Sequence, residues 1–164
     1  MMISKPMHAK LNEQITAEFS AAHAYLAMAC AFERMGLKML ANHFLKQNEE
    51  EREHAMKIVK YVHEVGGGAT LEAIPKPKHD YRSVKEIVQA ALESEHRVTG
   101  MINDLVALAD SDKDYATRSF LNWFVDEQVE EVSSMTDLLT LVELAGENVL
   151  QVESRLRHEM TTGS

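Results

Sequence analysis

The chain has 164 residues, 17 Lys plus Arg against 26 Asp plus Glu and a formal net charge of −9. It is long enough to bury one sizeable core, and too acidic for non-specific nucleic-acid binding, which works by phosphate neutralisation. A single cysteine, Cys30, excludes an intrachain disulfide, and neither a basic segment followed by an apolar leader nor about 18 consecutive apolar residues occurs. The expectation is a single domain over residues 1–164, cytoplasmic, with no membrane or nucleic-acid partner, attractive to cations, with Cys30 packed in the core.

The first amphipathic stripe, Leu11, Ile15, Glu18, Ala22, Tyr25, Ala29 and Phe32, steps by fours and threes as one face of an α-helix does. Residues 33–36 then form a short turn, with Gly36 suited to a left-handed cap, so the second helix runs back antiparallel. Its stripe is Leu37, Leu40, Phe44, Gln47, Glu51, His54, Ile58, Tyr61 and Val65. Gly66, Gly67 and Gly68 end it, and Pro75 and Pro77 prevent another helix before Ser83, an N-cap with Glu86 placed for a capping box. About 16 connecting residues reach ~50 Å when extended, more than the ~40 Å of a helix, so the link can cross the bundle and leave the second and third helices parallel.

The third stripe is Val84, Val88, Ala91, Glu95, Val98, Ile102, Leu105 and Ala109. The acidic segment 110–114 follows as a hairpin connection; Asp110, Asp112 and Asp114 are either plain solvated charges or guides for an incoming cation. The fourth stripe is Leu121, Phe124, Gln128, Glu131, Met135, Leu138, Val142 and Ala145, stopped by Gly146. A short fifth helix is expected over about 148–158, leaving residues 160–164 as a mobile tail. The ten methionines, among them Met28, Met56, Met101 and Met135, read as core or subunit-contact packing. The fold class is therefore all-α: a four-helix bundle over about 8–146, with one long crossover and a short C-terminal helix.

Each stripe carries glutamate, glutamine or histidine where the spacing asks for an apolar residue. Burying an ionised carboxylate costs several kcal/mol even after relaxation, so Glu18, Glu51, Glu95 and Glu131 together need compensation. Pairing with Lys or Arg is one route and an outward register another, but no Lys or Arg occupies any of the four stripes. A pair of divalent metal ions is the third. Carboxylates with one imidazole and no thiolate suit iron or manganese better than a structural zinc. Glu51 and His54 form Glu-x-x-His, whose side chains leave one helical face and can meet one ion. Alone that motif is common; with inward glutamates on neighbouring helices it matches the layout of di-iron carboxylate bundles.

Leu11-Asn12-Glu13-Gln14, Glu18 with Tyr25, Glu50-Glu51-Arg52-Glu53-His54, Glu95, and Trp123 before Glu127-Gln128-Val129-Glu130-Glu131 resemble the bacterial non-haem ferritin family over almost the full length. The resemblance implies a ferritin-like fold and a homo-oligomeric cage of twenty-four subunits. Such a cage oxidises Fe(II) with O2 or peroxide and stores Fe(III) as a mineral. It also implies that Glu18, Glu51 and His54 hold one iron, that Glu51, Glu95 and Glu131 hold a second with Glu51 bridging, and that Gln128 completes the pocket. Glu50, Glu127 and Glu130 resemble a third iron site, and Tyr25 and Trp123 resemble aromatics that supply electrons during oxygen reduction.

Neighbouring families fit less well. A bacterioferritin would carry its haem-ligand methionine where this chain has Arg52, so no haem is expected, and a rubrerythrin needs a Cys-x-x-Cys pair. A mini-ferritin usually lacks both this ligand set and the fifth helix. A second Glu-x-x-His, Glu93 with His96, lies off the inward seam, which takes Glu95 instead. The alternative functional class is a non-storage di-iron oxidase or peroxidase; a purely structural bundle is the third.

Overall fold

The computed structural model describes residues 1–162. Five helices follow in order: α1 (Lys5–Arg34), α2 (Lys38–Glu64), α3 (Val84–Asp112), α4 (Tyr115–Ala145) and α5 (Leu150–Thr162). Among the described residues none of these is long and apolar enough to cross a membrane.

Local chemistry sets the helix ends. Ser4 opens α1 by accepting from the Met7 N–H, and Pro6 occupies the first turn, where a missing N–H leaves no donor unpaired. Gly36, at φ 77°, makes the tight return to α2. Ser83 accepts from the Glu86 N–H as expected, but the Glu86 carboxylate accepts from Arg82, one residue earlier than a capping box requires, and pairs with Lys78. At the start of α2, Leu37 offers no cap. Glu153 of α5 instead accepts from the Met39 and Leu40 N–H groups at 2.9 and 2.8 Å.

The crossover, residues 65–83, runs alongside α1. At its start His8 Nε2 meets the Gly68 carbonyl at 2.8 Å and the Thr70 N–H donates to Asn12 Oδ1; at its end Arg34 donates to the His79 carbonyl. These contacts lie near opposite ends of α1, so the link spans the bundle and α2 and α3 are parallel. At Gly67 a Cβ would stand 2.8 Å from the His8 ring, so any larger residue would have to displace that side chain.

The apolar interior divides in two. One cluster gathers Tyr25, Phe32, Leu40, Phe44, Ile87 and Met135; the other gathers Met7, Leu11, Ile58, Ile102, Leu121 and Phe124. The buried polar side chains Glu18, Gln47, Glu51, His54, Glu95, Gln128 and Glu131 occupy sequence positions between them on each helix, with buried Gln14 one turn before Glu18.

Several expectations need correction. Cys30 is exposed, because it points away from the Tyr25, Ala29 and Phe32 stripe that faces the other helices. Met56 is outside the core, which leaves subunit-contact packing as its expected role, and Ala145 is half-buried at the end of its stripe. The acidic segment is not a loop: α3 continues through Asp112, with Lys113 in the left-handed conformation and Asp114 already capping α4. The fifth helix starts at Leu150 and continues through Thr162, so residues 160–162 of the expected tail are helical; residues 163–164 lie outside the described residues. An Arg155–Glu159 pair one turn apart supports that extension.

Candidate metal centre

Glu18 comes from α1, Glu51 and His54 from α2, Glu95 from α3, and Gln128 and Glu131 from α4, all buried; Glu18, Glu51 and Glu95 are each 1% exposed. The outward-register alternative is thereby excluded. Pairing with Lys or Arg is absent too: among the described residues no ion pair from either reaches these four glutamates, and the imidazole beside them is that of His54 itself.

His54 Nδ1 lies 3.3 Å from Glu51 Oε2, and Nε2 lies 4.0 Å from Glu127 Oε1. Two ligand groups share this ring. Glu18, Glu51 and His54 form one, and His54, Glu127 and Glu131 the other; within each, the donor atoms stand within 4.8 Å of one another. Oxygens and an imidazole at that spacing form a donor set for a hard or borderline divalent cation.

Hydrogen bonds hold Glu18 by one oxygen and reach both oxygens of Glu95. Gln14 Nε2 donates to Glu18 Oε1 at 2.8 Å, and the Tyr25 hydroxyl donates to Glu95 Oε1. Gln128 Nε2 donates to Thr99 Oγ1 at 3.0 Å and stands 3.4 Å from Glu95 Oε2. Glu18 Oε2 and Glu51 Oε2 are buried without a hydrogen-bond partner. Such orphaned acceptors are costly unless a ligand takes them up.

The electrostatics record the same crowding. Burial first, then Glu51, lifts the Glu18 carboxyl well above its ordinary value; burial first, then Glu95, does so for Glu51. Glu131 is pushed up to about 8, by burial and then by Glu95 and Glu50. Tyr25 is raised as well, by burial and then by Glu95. Like charges crowded in low dielectric favour their protonated forms until a cation replaces the protons.

The remaining expected residues divide. Glu50 is half-buried, held by Gln47 Nε2 at 2.6 Å and by Lys46 at 3.5 Å. Glu127 joins His54 and Glu131, whereas Glu130 is exposed and belongs to neither group, facing a groove toward α5. Trp123 packs edge-on against the His54 ring at 5.3 Å, with Lys57 Nζ 4.1 Å above the indole. His96 and Glu93 are exposed. The three aspartates have local partners: Asp110 pairs with Arg118, Asp112 accepts from Ser4, and Asp114 caps α4. Sequence reasoning passed over Gln14 as a site residue, although its place four residues before Glu18 put it on the same helical face.

A four-helix bundle with one long crossover and a mid-helix layer of carboxylates, imidazole and glutamine defines a ferritin-like protein, and residues 8–145 match the ferritin-like domain family. The chain belongs to that family. It is 46% identical over 133 residues to a bacterial non-heme ferritin of Staphylococcus epidermidis, covering 81% of this chain and 80% of the relative. A bacterial non-heme ferritin of Staphylococcus aureus is 45% identical over 132 residues, covering 80% of each. Among solved structures, an open-pore ferritin from the hyperthermophilic archaeon Archaeoglobus fulgidus superposes with a TM-score of 0.92 at 39% identity, over 94% of this chain and 96% of that one. A closed form of the same ferritin, engineered by site-directed mutagenesis, gives 0.91 at 39% identity, with the same coverage.

Proposed function

We propose that this protein is an iron-storage ferritin that oxidises Fe(II) inside each subunit and keeps the Fe(III) product as a mineral within a cage of twenty-four copies. The observation that carries the reading is a buried layer of four glutamates and one histidine, without Lys or Arg, in which Glu18 and Glu51 each keep an unpartnered oxygen. Glu18, Glu51 and His54 hold one Fe(II); Glu51, Glu95 and Glu131 hold the second, with Glu51 shared. Glu127 and Glu50 mark the place of a third iron, from which Glu130 stands apart.

The substrate ions displace the protons that burial keeps on Glu18, Glu51 and Glu131. Anionic oxygens stabilise Fe(III) over Fe(II), so the layer favours loss of one electron from each ion. The two electrons pass to O2, which takes two protons and leaves as hydrogen peroxide; with peroxide as oxidant, two electrons and two protons give water. Displaced ligand protons supply that demand locally. Tyr25 and Gln128 orient Glu95 from its two oxygens.

The test is to add Fe(II) in large excess in air, separate the protein by size, and measure iron per chain in the eluted peak. A heavy iron load on a cage-sized particle supports storage. About two irons per chain would support a di-iron oxidase or peroxidase instead, and no retained iron would overturn the metal reading.

A further inference from the structure

Gln14 lies one helical turn before Glu18 on α1 and is fully buried, at 0% exposed. Its Nε2 donates to Glu18 Oε1 at 2.8 Å. As a metal ligand Glu18 is ionised and only accepts, so an amide that holds it turns its NH2 group toward Glu18 and its carbonyl away, as it does here. That carbonyl, Gln14 Oε1, is buried with no partner, as is the second Glu18 oxygen, Oε2. An amide placed where Leu or Met would pack, and left half satisfied, costs stability without a ligand to complete it.

Its neutrality also matters. Lys or Arg at this position would hold Glu18 as firmly, but it would neutralise the carboxylate and compete with an incoming cation. A glutamine holds one oxygen and leaves the charge available. Without it, the terminal torsion of Glu18 is broad and roughly two-fold, and its oxygens can rotate away from Glu51 and His54.

We propose that Gln14 is a positioning residue of the metal centre: it holds Glu18 Oε1 so that Oε2 is presented to the ion shared with Glu51 and His54. The inference rests on the proposed reading of Glu18, Glu51 and His54 as ligands. Partners of this kind typically contribute about 10- to 100-fold in metal affinity.

The experiment uses Co(II) as probe on the intact, chelator-treated protein, followed by titration calorimetry and visible ligand-field absorption. Glu18→Ala identifies the part of the titration that depends on Glu18. Gln14→Met, equal in length but without a donor, is expected to weaken that part about 10- to 100-fold and alter its absorption band. It should add nothing further in the Glu18→Ala background, since Gln14 acts through Glu18. An unchanged affinity and band in Gln14→Met, or a loss that simply adds to that of Glu18→Ala, would overturn the proposal while the metal centre stands. Should Gln14→Met fail to fold, Gln14→Asn, which draws the amide back by one methylene, enters the same cycle with the same outcomes. Wild-type protein that takes up no Co(II) would overturn the metal reading and this inference together.

Discussion

Tyr25 of α1 donates its hydroxyl proton to Oε1 of Glu95 on α3, tying two helices together within the buried polar layer. Tyr25→Phe removes that donor and leaves Glu95 with the longer contact from Gln128 at 3.4 Å. Leaving a buried acceptor short of its partner costs about 1–3 kcal/mol. Urea unfolding of the metal-free variant is expected to show a loss of that size; an unchanged midpoint would mean the bond contributes nothing net.

Glu51 and His54 sit one turn apart on α2, and Glu51 Oε2, which has no hydrogen-bond partner, lies 3.3 Å from His54 Nδ1. Glu51→Ala and His54→Ala should each abolish the rapid phase of Fe(II) oxidation while the helical circular dichroism stays at wild-type strength. Removing a desolvated carboxylate relieves repulsion, so metal-free Glu51→Ala should unfold no more readily than wild type. Initial oxidation rates equal to wild type in both variants would remove these residues from the reaction.

The raised carboxyls give a pH dependence with a definite sign. Glu18, Glu51 and Glu131 all bind protons more tightly folded than at their ordinary value of 4.5, with Glu131 at about 8. Their contribution is fully present below about pH 4.5 and is lost as pH rises through the folded values. Between those limits the native state holds more protons than the unfolded chain, so stability falls by up to roughly 1.4 kcal/mol per pH unit for each group. Metal-free protein, unfolded in urea at a series of pH values, should therefore weaken from about pH 5 to 8, and Glu131→Gln should flatten part of that slope. Metal-loaded protein should show the opposite trend, because ions compete with protons. A metal-free stability that rises over this range would contradict the assignment.

Glu153 caps a helix far away in sequence, holding the first-turn N–H groups of Met39 and Leu40. Glu153→Ala should cost about 0.5–2 kcal/mol, the ordinary worth of an N-terminal cap, and loosen α5, whose buried apolar anchors are Val152 and Leu156. Hydrogen exchange is the measurement: the Met39 and Leu40 amides and the α5 backbone should exchange faster, while those of α3 keep wild-type rates. Unaltered exchange at Met39 and Leu40 would show that the cap is dispensable.

The inward residues were legible because helix periodicity is strict: one residue's error in register would have turned Glu18, Glu51 and Glu95 to solvent. Punctuation by Gly36, Gly66 and Ser83 was equally plain, since left-handed turns and side-chain caps need few residue types. Where tertiary contacts outvoted local preference, the sequence misled. The acidic run 110–114 read as the hairpin connection itself, yet Ser4 and Arg118 engage Asp112 and Asp110 and α3 continues, although acidic residues at its C-terminal end oppose the helix dipole. Glu153 showed no sign of its role, because its partners are backbone groups more than a hundred residues away. Glu130, exposed on α4, and Glu95, buried on α3, both lie outside the two ligand groups.

The polar layer parts two apolar clusters that would otherwise close on one another, and it does so with groups that repel each other once deprotonated. Under the proposed function a pair of divalent ions would discharge that repulsion, and their departure as product would restore it, so that each emptying of the site would prepare the next arrival. In such a layout the packing of the two clusters holds the repelling groups together as a clamp holds a spring.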